Sequence, residues 1–472
     1  MLTNLHKTQT PDTGVIRRPI TEIECGLPPF KPGVVYCAPA RGHWTIAHTP
    51  MLIPESYMIY LCASACMRGV VLSALEDGGM DRFSMVILND KDIYEGNLEQ
   101  VMIDGISEIL DGLSRRPPIV MPFTSCIHHF LSCDTNYIYK KLRERFPDVD
   151  FVQCYMIPTI RRGHITPEEL MQVNLYDALE PQDELDVRAV NFIGCNYAQD
   201  PENDCYRMLA DAGYQIRDLP MTKTYREYKD MAKSCANIYT APLARFSAHK
   251  LEHRLGQKDV YLPGEFTFAG IRRQLEKLSE MFSVRLPDLD AMQASAQEAL
   301  AKARAVIGDT PIALDHEACA RFLSLARLLT EQGFRVTEIY SDFALPEEQE
   351  DLDWLKEHAP DIQFCATNHY ACRMARSARD EENRQQAAGV SVDNETDAES
   401  GSGVKKEFIP ALAIGQKSAY FTGTDHFVNL LEYNGLWGFH GLEKLAELMI
   451  DAYEHPSDVE SIISVKAWGC HG

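Results

Sequence analysis

Short apolar runs alternate with helically spaced apolar positions along most of the chain, and that alternation predicts its elements. Arg82-Phe-Ser-Met-Val-Ile-Leu-Asn-Asp reads as a buried strand. From Asn97 to Leu113, the positions Leu98, Val101, Met102, Ile106 and Ile109 recur at helical spacing. Pro118-Ile-Val-Met-Pro-Phe is the next strand, and Asn136 to Phe146 an amphipathic helix with a basic face. Val149-Asp-Phe-Val-Gln-Cys follows as a strand. A second unit opens near Val187. It has a strand at Val190-Asn-Phe-Ile-Gly-Cys, a helix from Asp200 to Ala212 stopped by Gly213, and a strand at Tyr214-Gln-Ile-Arg-Asp-Leu. Ala236-Asn-Ile-Tyr-Thr is a short strand, followed by helices at Phe266 to Phe282 and Asp288 to Val306. The third unit repeats the rhythm. Its strands are Thr310-Pro-Ile-Ala-Leu-Asp, Phe334-Arg-Val-Thr-Glu-Ile-Tyr and Ile362-Gln-Phe-Cys-Ala-Thr. Helices run to about Gly333 and over Glu347 to His358. Strands alternating with helices predict an α/β protein with mostly parallel sheets covered on both faces.

The length agrees, because 472 residues exceed what one core serves. The predicted division is an N-terminal polar arm over 1–30 and three α/β domains over 31–186, 187–306 and 307–472. Within the third, 377–406 has no aromatic residue and little apolar content, and is predicted to be a mobile insertion.

Charge removes some functions. Lys and Arg number 46 against 69 Asp and Glu, a net charge of −23. No basic footprint exists to displace counterions, so nucleic acid is not an expected partner. The opening MLTNLHKTQTPDTG has no apolar core of a signal peptide, and the longest apolar run, around Tyr57 to Met67, falls far short of a membrane span. The expectation is a cytoplasmic protein with no membrane partner. Its 14 cysteines are then reduced rather than paired in disulfides. There is no phosphate-binding loop, no G-x-G-x-x-G after a strand and no G-x-S-x-G elbow.

Cysteine placement carries the remaining chemistry. Cys37, Cys66 and Cys126 each stand at a predicted strand end or in the loop after it, where ligands of open α/β sheets bind. Cys62 lies one helical turn before Cys66, in the small-residue stretch Leu61-Cys-Ala-Ser-Ala-Cys-Met. Such thiols are either buried structural groups or ligands of an iron–sulfur cluster. His43, His48, His128 and His129 are further candidate ligands, but none repeats a zinc spacing.

The order of these features resembles the nitrogenase component 1 superfamily, including nitrogenase-like reductases. The matching stretches are Val34-Val-Tyr-Cys37-Ala-Pro, Cys62-Ala-Ser-Ala-Cys66 and Thr124-Ser-Cys126-Ile-His-His-Phe-Leu-Ser-Cys133-Asp134. Val190-Asn-Phe-Ile-Gly, Leu209-Ala-Asp-Ala-Gly213-Tyr-Gln-Ile, Ala236-Asn-Ile-Tyr and Gly435-Leu-Trp-Gly-Phe-His-Gly441 are also similar. The resemblance implies three Rossmann-like domains and assembly with a homologous component 1 subunit as a homo- or heterodimer or tetramer. It implies an iron–sulfur cluster, [4Fe–4S] or P-cluster-like, on Cys37, Cys66 and Cys126, and low-potential electrons from a separate ATP-dependent iron protein. The implied function is an oxidoreductase subunit relaying those electrons to a reducible substrate. A tetrapyrrole reductase subunit of the dark-operative type, or a non-catalytic cofactor-assembly scaffold, is the alternative. His43, His128 and His129 are candidate proton donors.

There are departures. The family's His-Gly-x-x-Gly-Cys turn is replaced by Leu61-Cys-Ala-Ser-Ala-Cys, which makes Cys62 an extra or alternative metal ligand. None of Cys62, Cys133 and Cys154 is expected to be an essential ligand. Where molybdenum nitrogenase holds its catalytic cofactor with a cysteine, this chain has Thr240-Ala241-Pro242. Cys235 is displaced from that place, and His426 and His440 do not match the late histidine. The resemblance therefore does not extend to dinitrogen reduction on that cofactor.

Overall fold

The computed structural model describes residues 15–31, 36, 38, 45–76, 78–156, 167–373 and 411–463. Cys37, His43 and the predicted insertion 377–406 lie outside the described residues. By contact density the chain divides into two compact units. One comprises residues 1–41, 265–273 and 288–464, and the other 42–264, 274–287 and 465–472. The strands form three sheets, each predominantly parallel, in agreement with the expected architecture.

The first strand, β1 (Arg17–Pro19), falls in the predicted polar arm and joins the last of the three sheets. The first sheet begins at β2 (Ser56–Cys62), followed by β3 (Phe83–Ile87), β4 (Ile119–Ser125), β5 (Asp150–Phe151) and β6 (Cys154–Met156). Its order is β3-β2-β4-β5, with β6 also beside β4, and every pairing is parallel. The strand expected over Val149 to Cys154 is thus two short pieces on one neighbour. All seven residues of β2 and all seven of β4 are buried. This is why both read as continuous apolar runs rather than alternating ones: a central parallel strand is covered on both faces. Alternate residues still choose different cores. Met58, Tyr60, Met121 and Phe123 pack with Met67, Val70 and Ala74 of the helix Ser64–Glu76. Tyr57, Ile59, Leu61 and Val120 pack with Met102, Ile106 and Leu110 of the helix Leu98–Gly112, and with Ile138 and Leu142 of the helix Thr135–Arg145. The Tyr60 ring stacks on Phe123 at 4.3 Å and on Phe83 at 5.1 Å, tying three strands together.

The second sheet uses β7 (Asp186–Phe192), β8 (Gln215–Asp218), β9 (Ser234–Tyr239) and β10 (Lys258–Tyr261), in the order β10-β9-β7-β8. Its two central strands carry an amide network in the core. Asn191 Nδ2 donates to Asn237 Oδ1 at 2.8 Å and to the Met231 carbonyl at 2.9 Å, and its Oδ1 accepts from Ser234 at 2.7 Å. Asn237 in turn donates to Gln257 at 3.0 Å. Asn191 and Asn237 are fully buried and face each other in the parallel register. A slip of one residue would strand these amides in an apolar core, so the network fixes the pairing.

The third sheet comprises β11 (Pro311–Asp315), β12 (Arg335–Tyr340), β13 (Gln363–Cys365), β14 (Leu412–Ile414) and β15 (Phe427–Val428), ordered β1-β13-β12-β11-β14-β15. Only β1 runs antiparallel to its neighbour; the other pairings are parallel. Among the described residues, no helix is long and apolar enough to cross a membrane.

Two stability measurements follow from these cores. Asn191→Ala removes the donor to the buried Asn237 Oδ1 and the acceptor of the Ser234 hydroxyl, and should cost about 2 kcal/mol or more by denaturant titration. Asp218, at the end of β8, is 3% exposed and accepts from the Gln199 N–H at 2.6 Å. Burial pushes its carboxyl up to about 7, against the opposing pull of that N–H. The native state therefore keeps a proton that the unfolded chain releases near pH 4. Stability from this residue falls as pH rises from about 4 to about 7, at about 1.4 kcal/mol per pH unit. Asp218→Asn should flatten the pH profile across that window and stabilise the protein at pH 8.

Candidate functional site

In the first sheet the chain leaves β2 toward β3 on one side, and leaves β4 toward β5 on the other. Adjacent strands with diverging connections leave a crevice above their carboxyl ends. Leu61 pairs with Thr124, so the next residues, Cys62 and Ser125, end the two strands side by side. The helix Ser64–Glu76 starts two residues after Cys62 and puts Cys66 in its first turn, where the Cys66 N–H donates to the Ala63 carbonyl at 3.0 Å. Cys126 opens the short helix Cys126–Phe130 directly after β4. The small residues Ala63, Ser64 and Ala65 keep the turn between Cys62 and Cys66 narrow.

The three thiols differ in access but share one field. Cys62 is buried, Cys126 half-buried and Cys66 exposed. Burial pushes the Cys62 thiol up to about 11; its contact with Ser125 opposes this, while contact with Cys66 and the nearby Cys126 add to it. Metal-free, Cys62 is a protonated thiol at neutral pH. A metal bound here must displace that proton.

The neighbouring candidates have other tasks. His128 is 2% exposed, and its Nδ1 accepts from the Ser125 N–H at 3.2 Å. Burial holds its pKa down to about 4. It is therefore a neutral imidazole that fixes the turn carrying Cys126. His129 is exposed. The Cys133 thiol is pushed up to about 12, first by burial and then by Glu99, and it packs against the helical core rather than beside the crevice thiols. Cys154 is fully buried within β6, its Sγ 3.6 Å from the Val152 carbonyl. Cys235 lies at the start of β9, away from the carboxyl end of that strand. His426 Nδ1 meets the Ala452 carbonyl at 3.0 Å.

A second constellation escaped the sequence reading. In the third sheet the chain order reverses between β11 and β14. Asp315 ends β11, with His316 and Glu317 after it; Gly415, Gln416, Lys417 and Ser418 follow β14. Lys417, only 9% exposed, donates to Glu317 at 2.8 Å and lies 3.3 Å from His316 Nε2. Burial works against its charge, but Glu317, Asp315 and Asp342 outweigh that and raise its pKa. Asp315 accepts from the Ser418 N–H at 2.6 Å. Gly415 has φ +106°, and a Cβ there would lie 2.4 Å from the Asp315 carboxylate, so only glycine fits. Asp342 accepts from the Thr367 N–H at 3.0 Å. The signal available in sequence was a strand–glycine–helix turn, Leu412-Ala-Ile-Gly415-Gln-Lys417, opposite a strand ending Asp315-His-Glu.

Three mostly parallel sheets, with Cys62 and Cys126 at the carboxyl ends of neighbouring strands of the first, define a multi-sheet α/β protein. The chain belongs to the nitrogenase component 1 type oxidoreductase family, which matches residues 62–450. Solved structures agree on the fold. One described as nitrogenase Cp1 at pH 6.5 superimposes with a TM-score of 0.64 at 12% identity, covering 90% of this chain and 94% of that one. One described as nitrogenase Cp1 at pH 5 gives 0.59 at 12% identity, with 93% of each chain covered. No curated protein sequence matches the chain.

Access orders the thiols' reactivity. In metal-free protein, iodoacetamide should label Cys66 first and Cys154 last, at rates differing by more than about tenfold, since exposed thiolates react and buried thiols do not. Peptide mass spectrometry over a time course reads this directly.

Proposed function

We propose that this chain is a nitrogenase-like component 1 subunit, relaying low-potential electrons from an ATP-dependent iron protein, through an iron–sulfur cluster, to a reducible substrate. The observation that carries this reading is the gathering of Cys62, Cys66 and Cys126 where β2 and β4 end. The donor set fits a cluster. Thiols are its standard protein ligands.

In this reading Cys37, Cys66 and Cys126 hold the cluster, and Cys62 is an additional thiolate. When bound, the cluster supplies a one-electron relay whose potential depends on burial and hydrogen bonding. His128 orients the turn of Cys126, and its low pKa makes it a poor proton store at neutral pH. Further polar groups stand in the third sheet, where Lys417, His316 and Glu317 meet at a crevice suited to a substrate. The chain has no phosphate loop, so ATP hydrolysis falls to the separate iron protein. A homologous component 1 subunit completes the assembly.

Iron content and EPR of anaerobically purified protein, with any co-purifying subunit, test this reading. Wild type should carry about four irons per cluster and a reduced-state signal. Cys66→Ala should lose most of both while retaining the folded circular dichroism spectrum. Iron-free wild type would overturn the proposal.

A further inference from the structure

A different constellation of possible metal ligands stands at the second sheet, apart from the Cys62, Cys66 and Cys126 crevice of the first. His249 and Glu252 lie one turn apart on the helix Arg245–Leu255. Gly256, at φ +72°, ends that helix, and its N–H donates to the Glu252 carbonyl at 2.9 Å. The chain turns at once into β10, bringing Asp259 back against the same helical face. His249 Nδ1 lies 3.2 Å from Asp259 Oδ2, and the Asp259 N–H donates to Glu252 Oε1 at 3.5 Å. One ligand atom from each of the three side chains lies within 4.8 Å of the other two. Among the described residues, no other such group of three occurs.

We propose that His249, Glu252 and Asp259 bind a zinc-like divalent cation that clamps the helix Arg245–Leu255 to the edge strand β10. Zinc bonds of about 2.0–2.2 Å to imidazole and carboxylate place tetrahedral ligand atoms roughly 3.3–3.6 Å apart. The His249–Asp259 separation of 3.2 Å is within about 0.1 Å of that range, and the Glu252 carboxylate lies within 4.8 Å of both. The strand ligand is braced from behind. The Tyr239 hydroxyl, on the neighbouring strand β9, hydrogen-bonds the Asp259 carboxylate, which accepts. Metal sites are commonly oriented by such outer partners. Asp259 is 18% exposed while His249 is 78% exposed, so one ligand is fixed and the solvent side is open for entry. Two cations stand near: Lys258, next to Asp259 in β10, and Arg245, which hydrogen-bonds Tyr239 and lies 5.5 Å over the Tyr261 ring. One imidazole with two carboxylates suits borderline divalent ions, whereas thiolates suit softer metals and iron–sulfur groups, so ligand chemistry separates this site from the cysteine crevice.

The competing description is a surface histidine–aspartate ion pair with a spectator glutamate, which binds nothing. Titration of the anaerobic, full-length protein with Co²⁺ separates the two. Cobalt bound by nitrogen and oxygen shows only weak visible bands; cobalt bound by thiolates shows intense near-ultraviolet charge transfer. We expect one equivalent giving weak visible bands, separate from any charge transfer that the crevice thiols add. That equivalent should be retained in Cys66→Ala and weakened more than about tenfold in His249→Ala and in Asp259→Asn. Tyr239→Phe, which keeps all three ligands, should weaken it by about tenfold through lost orientation. Added Zn²⁺ should raise the melting temperature of wild type and not that of His249→Ala. Equal cobalt stoichiometry and affinity in wild type and His249→Ala, or charge-transfer bands alone, would overturn the proposal. His249 is exposed and off the core, so its variant tests binding rather than folding. Neither result bears on the iron content that tests the cysteine site.

Discussion

Two parallel strands lying side by side, whose chains depart in opposite directions, cannot cover the space above their own ends. That constraint organises the protein. In the first sheet it acts on β2 and β4, and the groups delivered to the uncovered space are thiols. In the third sheet it acts on β11 and β14, and the groups delivered are an ammonium, an imidazole and carboxylates. The strands themselves are locked by burial on both faces, so the residues just past their ends are held by a rigid support. Catalytic and binding groups gain precision from such placement.

The two crevices solve the cost of burying polar groups differently. Around Cys62 the solution is protonation: burial and neighbouring thiols keep a proton on sulfur until a metal displaces it. Around Lys417 the solution is pairing, with Glu317, Asp315 and Asp342 sustaining the charge. Arg321 shows the same second solution deeper in that unit, where it faces Glu348 and Asp351 and is itself 5% exposed. Burial still dominates there, pushing Glu348 up to about 8 despite the guanidinium. One crevice is poised to lose protons on loading, the other already holds balanced charge.

Much of this was readable from residue order. The helix Leu98–Gly112 declares itself by its period, and the strands β3, β4, β11 and β12 by the length of their largely apolar runs. The strands β14 and β15, with three and two residues, are too short to carry one. Strand β1 reads as part of a polar arm because an edge strand has no need of a continuous apolar run. Cys62 and Cys66 are close by spacing alone, but the meeting with Cys126 depends on the β2–β4 register. Lys417 and Glu317 stand one hundred positions apart, and only the reversal of strand order brings them together. His128 shows the converse: beside a cysteine in sequence, it looks chemical, yet its hydrogen bond to Ser125 makes it a brace.

The pairing of β1 with β13 matters beyond the fold. Arg17, Arg18 and Pro19 lie antiparallel against Cys365, Phe364 and Gln363, and Arg17 is also paired with Glu338 on the next strand. Without those three residues, β13 would become the rim of its sheet, presenting unsatisfied amides and carbonyls to any passing chain. The segment is a selvedge: a narrow border, itself contributing little to the cloth, that keeps the weave from fraying into its neighbours. Antiparallel direction and a terminal proline suit that duty, because Pro19 has no N–H to offer and leaves a poor template for further growth.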